Sequence, residues 1–141
     1  MKNLLFIAFF MLSKLFYAQE LNNDQIQILK FDNTARFADL LDGQNINQCF
    51  NVNETSYNLL ALAIKMKSVN IFQKLIDEKA DLEKICDGKS PLMFAAKYGD
   101  LKMVKKLLES GAKKETKNNK GLTALDYAKK YNQPELIKLL E

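Results

Sequence analysis

The side chains that could do chemistry in this chain are few, and what is missing narrows the choice. Histidine is absent from all 141 residues, so no Ser-His or Cys-His pair can form, and the usual zinc sites lose one of their main ligands. Cys49 and Cys86 are the only cysteines and do not form a Cys-x-x-Cys pair. No Gly-rich phosphate loop is present, and no two carboxylates stand in a recognisable catalytic setting. Asp126, in LTALDYAKK, is the most tempting acid. It falls near the start of a helical stretch, where the helix dipole and free backbone amides favour a negative charge, so a structural role is expected. The expectation is a protein without catalysis, cofactor or metal, whose chemistry is that of recognition.

Recognition needs a scaffold, and the elements that could provide one begin after a distinct N-terminal stretch. MKNLLFIAFFMLSKLFYAQE has a basic start at Lys2, an apolar run from Leu4 to Leu12 and the small Ala18 before Gln19, which is the pattern of a secretory signal peptide. Lys14 interrupts the apolar stretch, and 4 to 18 is shorter than the roughly 20 residues a crossing helix needs. Cleavage after Ala18 and export to a periplasm or the extracellular space are expected, with a bacterial envelope as the setting and no stable membrane insertion afterwards. About 120 residues then remain, 19–141, enough for one domain. Apolar residues at 48% and charged residues at 27% fit a folded soluble chain.

Without Lys2 and Lys14 the balance is 19 basic against 17 acidic residues, too even to suggest a nucleic-acid binder. The distribution is uneven. Residues 19–96 carry 8 basic and 11 acidic side chains, and residues 97–141 carry 11 and 6, so the C-terminal third is a basic end. It lacks the apolar aromatic face of a membrane-surface helix.

The scaffold itself is written twice. GKSPLMFAAKYGD (88–100) and GLTALDYAKKYNQ (121–133) align 33 positions apart, and Leu60, Ala63, Leu75 and Ala80 precede Leu92, Ala95, Leu107 and Ala112 by 32. A weaker echo lies in FADLLDGQNIN (37–47). In the clearest unit Ser90 and Pro91 open a helix, PLMFAAKY, that Gly99 ends. Asp100 opens a second, LKMVKKLLES, whose Leu101, Val104, Leu107 and Leu108 form one apolar stripe and which Gly111 stops. AKKETKNNKG (112–121) is a polar protruding turn. Such short helix pairs cannot bury their apolar faces alone, so they must stack, with Ala63, Ala95, Ala96 and Ala128 allowing close approach.

With these residues in view, the chain resembles the ankyrin-repeat family. GKSPLMFAAKYGDLKMVKKLLESGA (88–112) is similar to the family pattern Gly-x-Thr-Pro-Leu-His-x-Ala-Ala, then Gly, then Val-x-x-Leu-Leu and Gly-Ala. The resemblance implies an all-α solenoid of about four helix-turn-helix units with short protruding turns: an N-terminal cap at 24–47, units at 53–84 and 85–117, and a C-terminal cap at 118–141. Met93 and Asp126 stand where the family has His, so hydrogen bonds toward the neighbouring turn are expected to be missing and the turns at 85–89 and 118–122 looser. The family grips other proteins with its turn tips and first helices. The matching tips here are Lys84, Cys86, Asp87 and Lys89, then Lys117, Asn119, Lys120 and Leu122. The matching helix positions are Lys65 and Met66, Lys97 and Tyr98, and Lys130 and Tyr131. Seven lysines and two tyrosines against one acid suggest a binding module for an acidic segment of another protein, and a monomer is expected. An inhibitor or immunity factor, and a protective scaffold for an envelope enzyme, are the roles such a module could fill.

Two features break the repeat. The run from Asn47 to Leu60 is about four residues longer than its counterpart, which predicts an inserted loop on one face. Its Asn53-Glu54-Thr55 fits a glycosylation acceptor, a three-residue match of low specificity. Cys49 aligns with Ile85, one repeat before Cys86 and one residue out of step. Stacked helices sit about 8 to 10 Å apart, beyond disulfide reach of about 7 Å. Two free thiols are therefore expected, a bridge requiring the inserted loop to bend inward.

Overall fold

The structure, a computed structural model, describes residues 19–41 and 45–141. The expected signal peptide at 1–18 lies outside them. In chain order the elements are strand β1 (Gln19–Glu20), helix α1 (Asn23–Lys30), a 3₁₀ turn (Thr34–Arg36) running into α2 (Phe37–Leu40), strands β2 (Phe50–Val52) and β3 (Thr55–Tyr57), then three regular helix pairs. These are α3 (Leu59–Met66) with α4 (Val69–Asp77), α5 (Pro91–Tyr98) with α6 (Leu101–Glu109), and α7 (Ala124–Lys130) with α8 (Pro134–Leu140). The helix-pair solenoid expected from the repeat is the fold.

The first helices of the pairs pack directly on one another, α3 on α5 and α5 on α7. Alanine makes this possible: Ala61, Ala63, Ala95, Ala96 and Ala128 are completely buried, so backbones approach where larger side chains would hold them apart. The second helices supply the broad apolar residues Ile71, Phe72, Leu75, Val104 and Leu107, all fully buried. One core runs the length of the stack.

Helix starts and stops follow local chemistry. Ser90 Oγ accepts from the Met93 amide, Asn58 from Ala61, Asp100 from Met103 and Thr123 from Asp126, each satisfying an amide without an intrahelical partner. The first helices of the three pairs end at matching left-handed residues, Lys67 (φ 60°), Gly99 (φ 71°) and Asn132 (φ 58°). A Cβ at 99 would also fall 2.6 Å from the Gln133 side-chain amide, the mobile end of a flexible side chain that would have to swing aside.

The α4 helix is capped from another repeat. Its own Ser68 hydroxyl is turned away to donate to the Leu29 carbonyl. In its place Asp32 accepts from the Asn70 amide (2.9 Å), the Ile71 amide (2.8 Å) and Asn70 Nδ2 (2.7 Å). The degenerate first unit is thus fastened to the second by a carboxylate at a helix N-terminus. At its surface Arg36 pairs with Asp24 and Asp39.

The insertion is a β-hairpin. Asn53 and Glu54 both adopt left-handed φ, 49° and 64°, the two-residue turn whose twist suits paired strands. β2 pairs antiparallel with β3 through Phe50–Tyr57, Asn51–Ser56 and Val52–Thr55, and parallel with β1 on its other edge. The hairpin also carries the largest departure from expectation. Cys49 and Cys86 are joined in a disulfide with their Cα atoms 5.8 Å apart. Cys49 does not sit at helix-stacking distance, as free thiols would require; the chain leading into β2 lies against the 85–89 turn, which brings the sulfurs together.

Candidate protein-binding face

Tyrosine and lysine sit in alternation at the ends of the first helices. Lys65 ends in the last turn of α3, Lys97 and Tyr98 close α5, and Lys130 closes α7 with Tyr131 following it. The structure brings these five together and adds a sixth, Tyr57, at the end of β3. Lys65 Nζ donates to the Tyr57 hydroxyl at 3.0 Å and lies 4.4 Å from the centre of its ring. The Tyr57 and Tyr98 hydroxyls meet in a long 3.4 Å contact in which either can donate. Lys97 Nζ is 5.5 Å from the Tyr98 ring centre and 5.9 Å from that of Tyr131, and Lys130 is 5.8 Å from Tyr131. Each is a cation held over an aromatic ring. Beneath them Phe94, fully buried, packs against Tyr57 at 4.9 Å and is stacked on Tyr98 at 6.4 Å. The result is a continuous row, lysine then tyrosine, crossing three repeats.

The phenols are electrostatically unequal. Burial raises Tyr57, but the hydrogen bonds from Lys65 and Tyr98 and the Lys65 charge together outweigh it, so Tyr57 ionises more readily than a free tyrosine. Burial, then the hydrogen bond and charge of Tyr57, push Tyr98 well above the ordinary phenol range. Tyr98 therefore stays a neutral hydroxyl. With Tyr131 it is among the exposed large apolar residues, at 38% and 39%.

The other expected contact residues are placed differently. Met66 is half-buried against the core and Leu122 likewise. Lys84 is half-buried, with its carbonyl accepting from Asn58 Nδ2 at 3.2 Å. Cys86 is buried in the disulfide. Asp87 and Lys89 neutralise each other in a 2.8 Å ion pair, and Lys89 also lies over the Phe94 ring at 5.3 Å. Asn119 and Lys120 are exposed on the next turn. Lys117 lines a groove with Thr123, Leu125 and Leu140 at the C-terminal end of the stack.

Turn-to-turn bonding is provided from an unexpected position. Met93 leaves its sulfur to accept from the Ser90 amide at 3.4 Å. The bond between neighbouring turns comes from the buried Asn118, whose Nδ2 donates to the Gly88 carbonyl at 2.7 Å and lies 3.3 Å from the Tyr127 hydroxyl. Its Oδ1 accepts from the amides of Lys120 and Leu122. The 85–89 turn closes on itself through paired Cys86 and Lys89 backbone bonds. The loosening expected from the missing histidines is thus offset by Asn118. Asp126 completes a capping box, accepting from the Thr123 amide at 2.8 Å and its hydroxyl at 2.9 Å, and these bonds lower its pKa.

Tyr57 is the residue that sequence reasoning missed. Its signal was the alternation of Phe50-Asn51-Val52 and Thr55-Ser56-Tyr57 about a two-residue centre, a hairpin pattern without the glycine that usually marks one.

Among the described residues no helix is long and apolar enough to cross a membrane, and no group of three or more Cys, Asp or Glu is placed to hold a metal. None of the curated proteins matches this chain. The profile of the family described as Ankyrin repeats (3 copies) matches it over residues 15–118 and again over 60–141. With the stacked helix pairs already in view, that match assigns the chain to the ankyrin-repeat family.

Proposed function

We propose that the chain is an exported, non-catalytic, monomeric binding protein that holds an acidic segment of another protein against the row of lysines and tyrosines at the ends of its first helices. Ankyrin repeats serve generally as protein-interaction modules. The observation that carries the finer reading is the row itself: two half-exposed phenol rings, each beside lysine ammonium groups, across successive repeats. Aromatic rings give contact area at little entropic cost, and the surrounding cations attract and orient acids. Export is supported by the Cys49–Cys86 bond, because disulfides persist in oxidising compartments.

The test is affinity capture from a cell-envelope extract with the chain and with a Tyr98→Ala/Tyr131→Ala/Lys97→Glu variant. Loss of two aromatic anchors and reversal of one charge is expected to weaken capture of a specific partner at least about tenfold. Equal capture of the same proteins by both would end the groove reading. Where the captured partner is an enzyme, its activity separates two roles. Loss of the groove releases a target from an inhibitor and lowers the activity of one that needs a protective scaffold.

A further inference from the structure

Resting on that reading, we infer that the lysine–tyrosine row takes its partner as a polyproline-II segment bearing a carboxylate at every third residue. Lys65, Lys97 and Lys130 occupy equivalent places in the last turns of three successive first helices, and those helices pack directly on one another. The backbone positions that carry these lysines therefore recur at the helix-packing interval, about 8 to 10 Å. Lys97 Nζ lies within 6 Å of both the Tyr98 and the Tyr131 ring centres, at 5.5 and 5.9 Å, so one ammonium group joins the rings of two successive repeats.

Few peptide conformations match that spacing on one side. A β-strand returns to the same face every second residue, about 6.6 Å, or every fourth, about 13 Å. Polyproline II has three residues per turn and rises about 3.1 Å per residue, so every third side chain points the same way at about 9.3 Å. Over three lysines the two registers stay together. An α-helix offers same-face residues seven apart at about 10.5 Å, which drifts from the row and brings a body about 10 Å wide. The partly exposed rings of Tyr98 and Tyr131 add a second match, since polyproline-II segments dock on aromatic-lined surfaces. Lys65 is not consumed by its bond to Tyr57, because an ammonium has three donors.

Three synthetic peptides of equal charge test this by fluorescence anisotropy with the full chain at low salt: one with Glu-Pro-Pro repeats, one with the same residues but contiguous acids, and one helical with acids seven apart. The Glu-Pro-Pro peptide is expected to bind about tenfold more tightly than either, three weak ion pairs being made together. Lys97→Glu, and Lys97→Gln should the charge reversal disturb folding, should remove that advantage, while Lys105→Glu on α6 should not. Equal affinity for spaced and contiguous acids, both lost in the Lys97 variants, overturns the register while leaving an acid-binding face. Tighter binding of the helical peptide also overturns it. Binding by none of them, or binding insensitive to Lys97, overturns the register and the proposed groove together.

Discussion

Reducing the Cys49–Cys86 bond should remove a large share of the stability of this protein without removing a single packed apolar contact. The bond closes a loop of 37 residues that contains the whole α3–α4 pair. Opening it restores to the unfolded chain the freedom that loop closure had taken away, on the order of 13 cal/mol/K, or about 4 kcal/mol at 25 °C. A domain of this size has only about 5 to 15 kcal/mol in total. The folded side changes little, because the hairpin pairing, the Asp81 amide bond to Asn47 and the Asn58 bond to the Lys84 carbonyl do not involve the sulfurs. Reduction by a dithiol is a cleaner perturbation than substitution, since Cys86 is buried and a serine hydroxyl there would add its own desolvation cost. Urea unfolding followed by far-UV circular dichroism, oxidised against reduced, should show the midpoint falling by about 2.5 M for a slope near 1.5 kcal/mol/M. A fall of less than about 0.7 M would correspond to roughly 1 kcal/mol. That result would refute the reasoning, showing that the unfolded chain is already restricted in this region.

Two further perturbations address the seams of the stack. Asp32→Gly removes the carboxylate that caps α4 while keeping a residue content at the φ of 50° found there, and should destabilise the chain by about 1 to 2 kcal/mol, because the Ser68 hydroxyl is committed to Leu29 and cannot take over; an unchanged urea midpoint would contradict the capping role. Asp126 has a folded pKa below the ordinary 3.8, owing to its hydrogen bonds from the Thr123 amide and hydroxyl. Its stabilising contribution is therefore fully present above 3.8 and lost as the pH falls through the lower folded value. An Asp126→Asn chain should differ from the native one at neutral pH and converge with it in acid, as read from thermal unfolding across that window.

What was legible in the sequence was whatever the repeat enforced. Pro91–Tyr98 and Leu101–Glu109 begin and end where Ser90, Pro91, Gly99 and Asp100 place them, because capping and left-handed stops are local chemistry. Stacking was legible because residues such as Ala95 and Ala128 recur at a fixed offset and have no other reason to be small. The failures share one cause, which is that they depend on contacts between units. Asp32 looks like a surface acid until the α4 N-terminus is set beside it, and Asn118 looks like one more polar turn residue until Gly88 is. The disulfide was misjudged because helix-stacking distance was applied to a segment that is not helix-stacked.

The insertion accounts for why the departures fall where they do. A solenoid unit has neighbours on both sides except at its ends, and the first unit here is a poor neighbour, since its second helix has shrunk to a 3₁₀ turn and Phe37–Leu40. Ordinary repeat contacts would leave the α3–α4 pair weakly held on that side. The hairpin and its surroundings supply what is missing: β1 is drawn into the sheet, Cys49 is bonded to the 85–89 turn, and Asp32 and Ser68 fasten the first unit to the second. The same hairpin delivers Tyr57 to Lys65 and Tyr98. The segment that fastens the acidic N-terminal part of the stack therefore also sets the first member of the recognition row. The remaining members, Lys97 to Tyr131, rest on the plain stacking of α5 and α7. Cross-links and strand pairing are concentrated where the repeat is weakest, and the row begins at the point where that reinforcement ends.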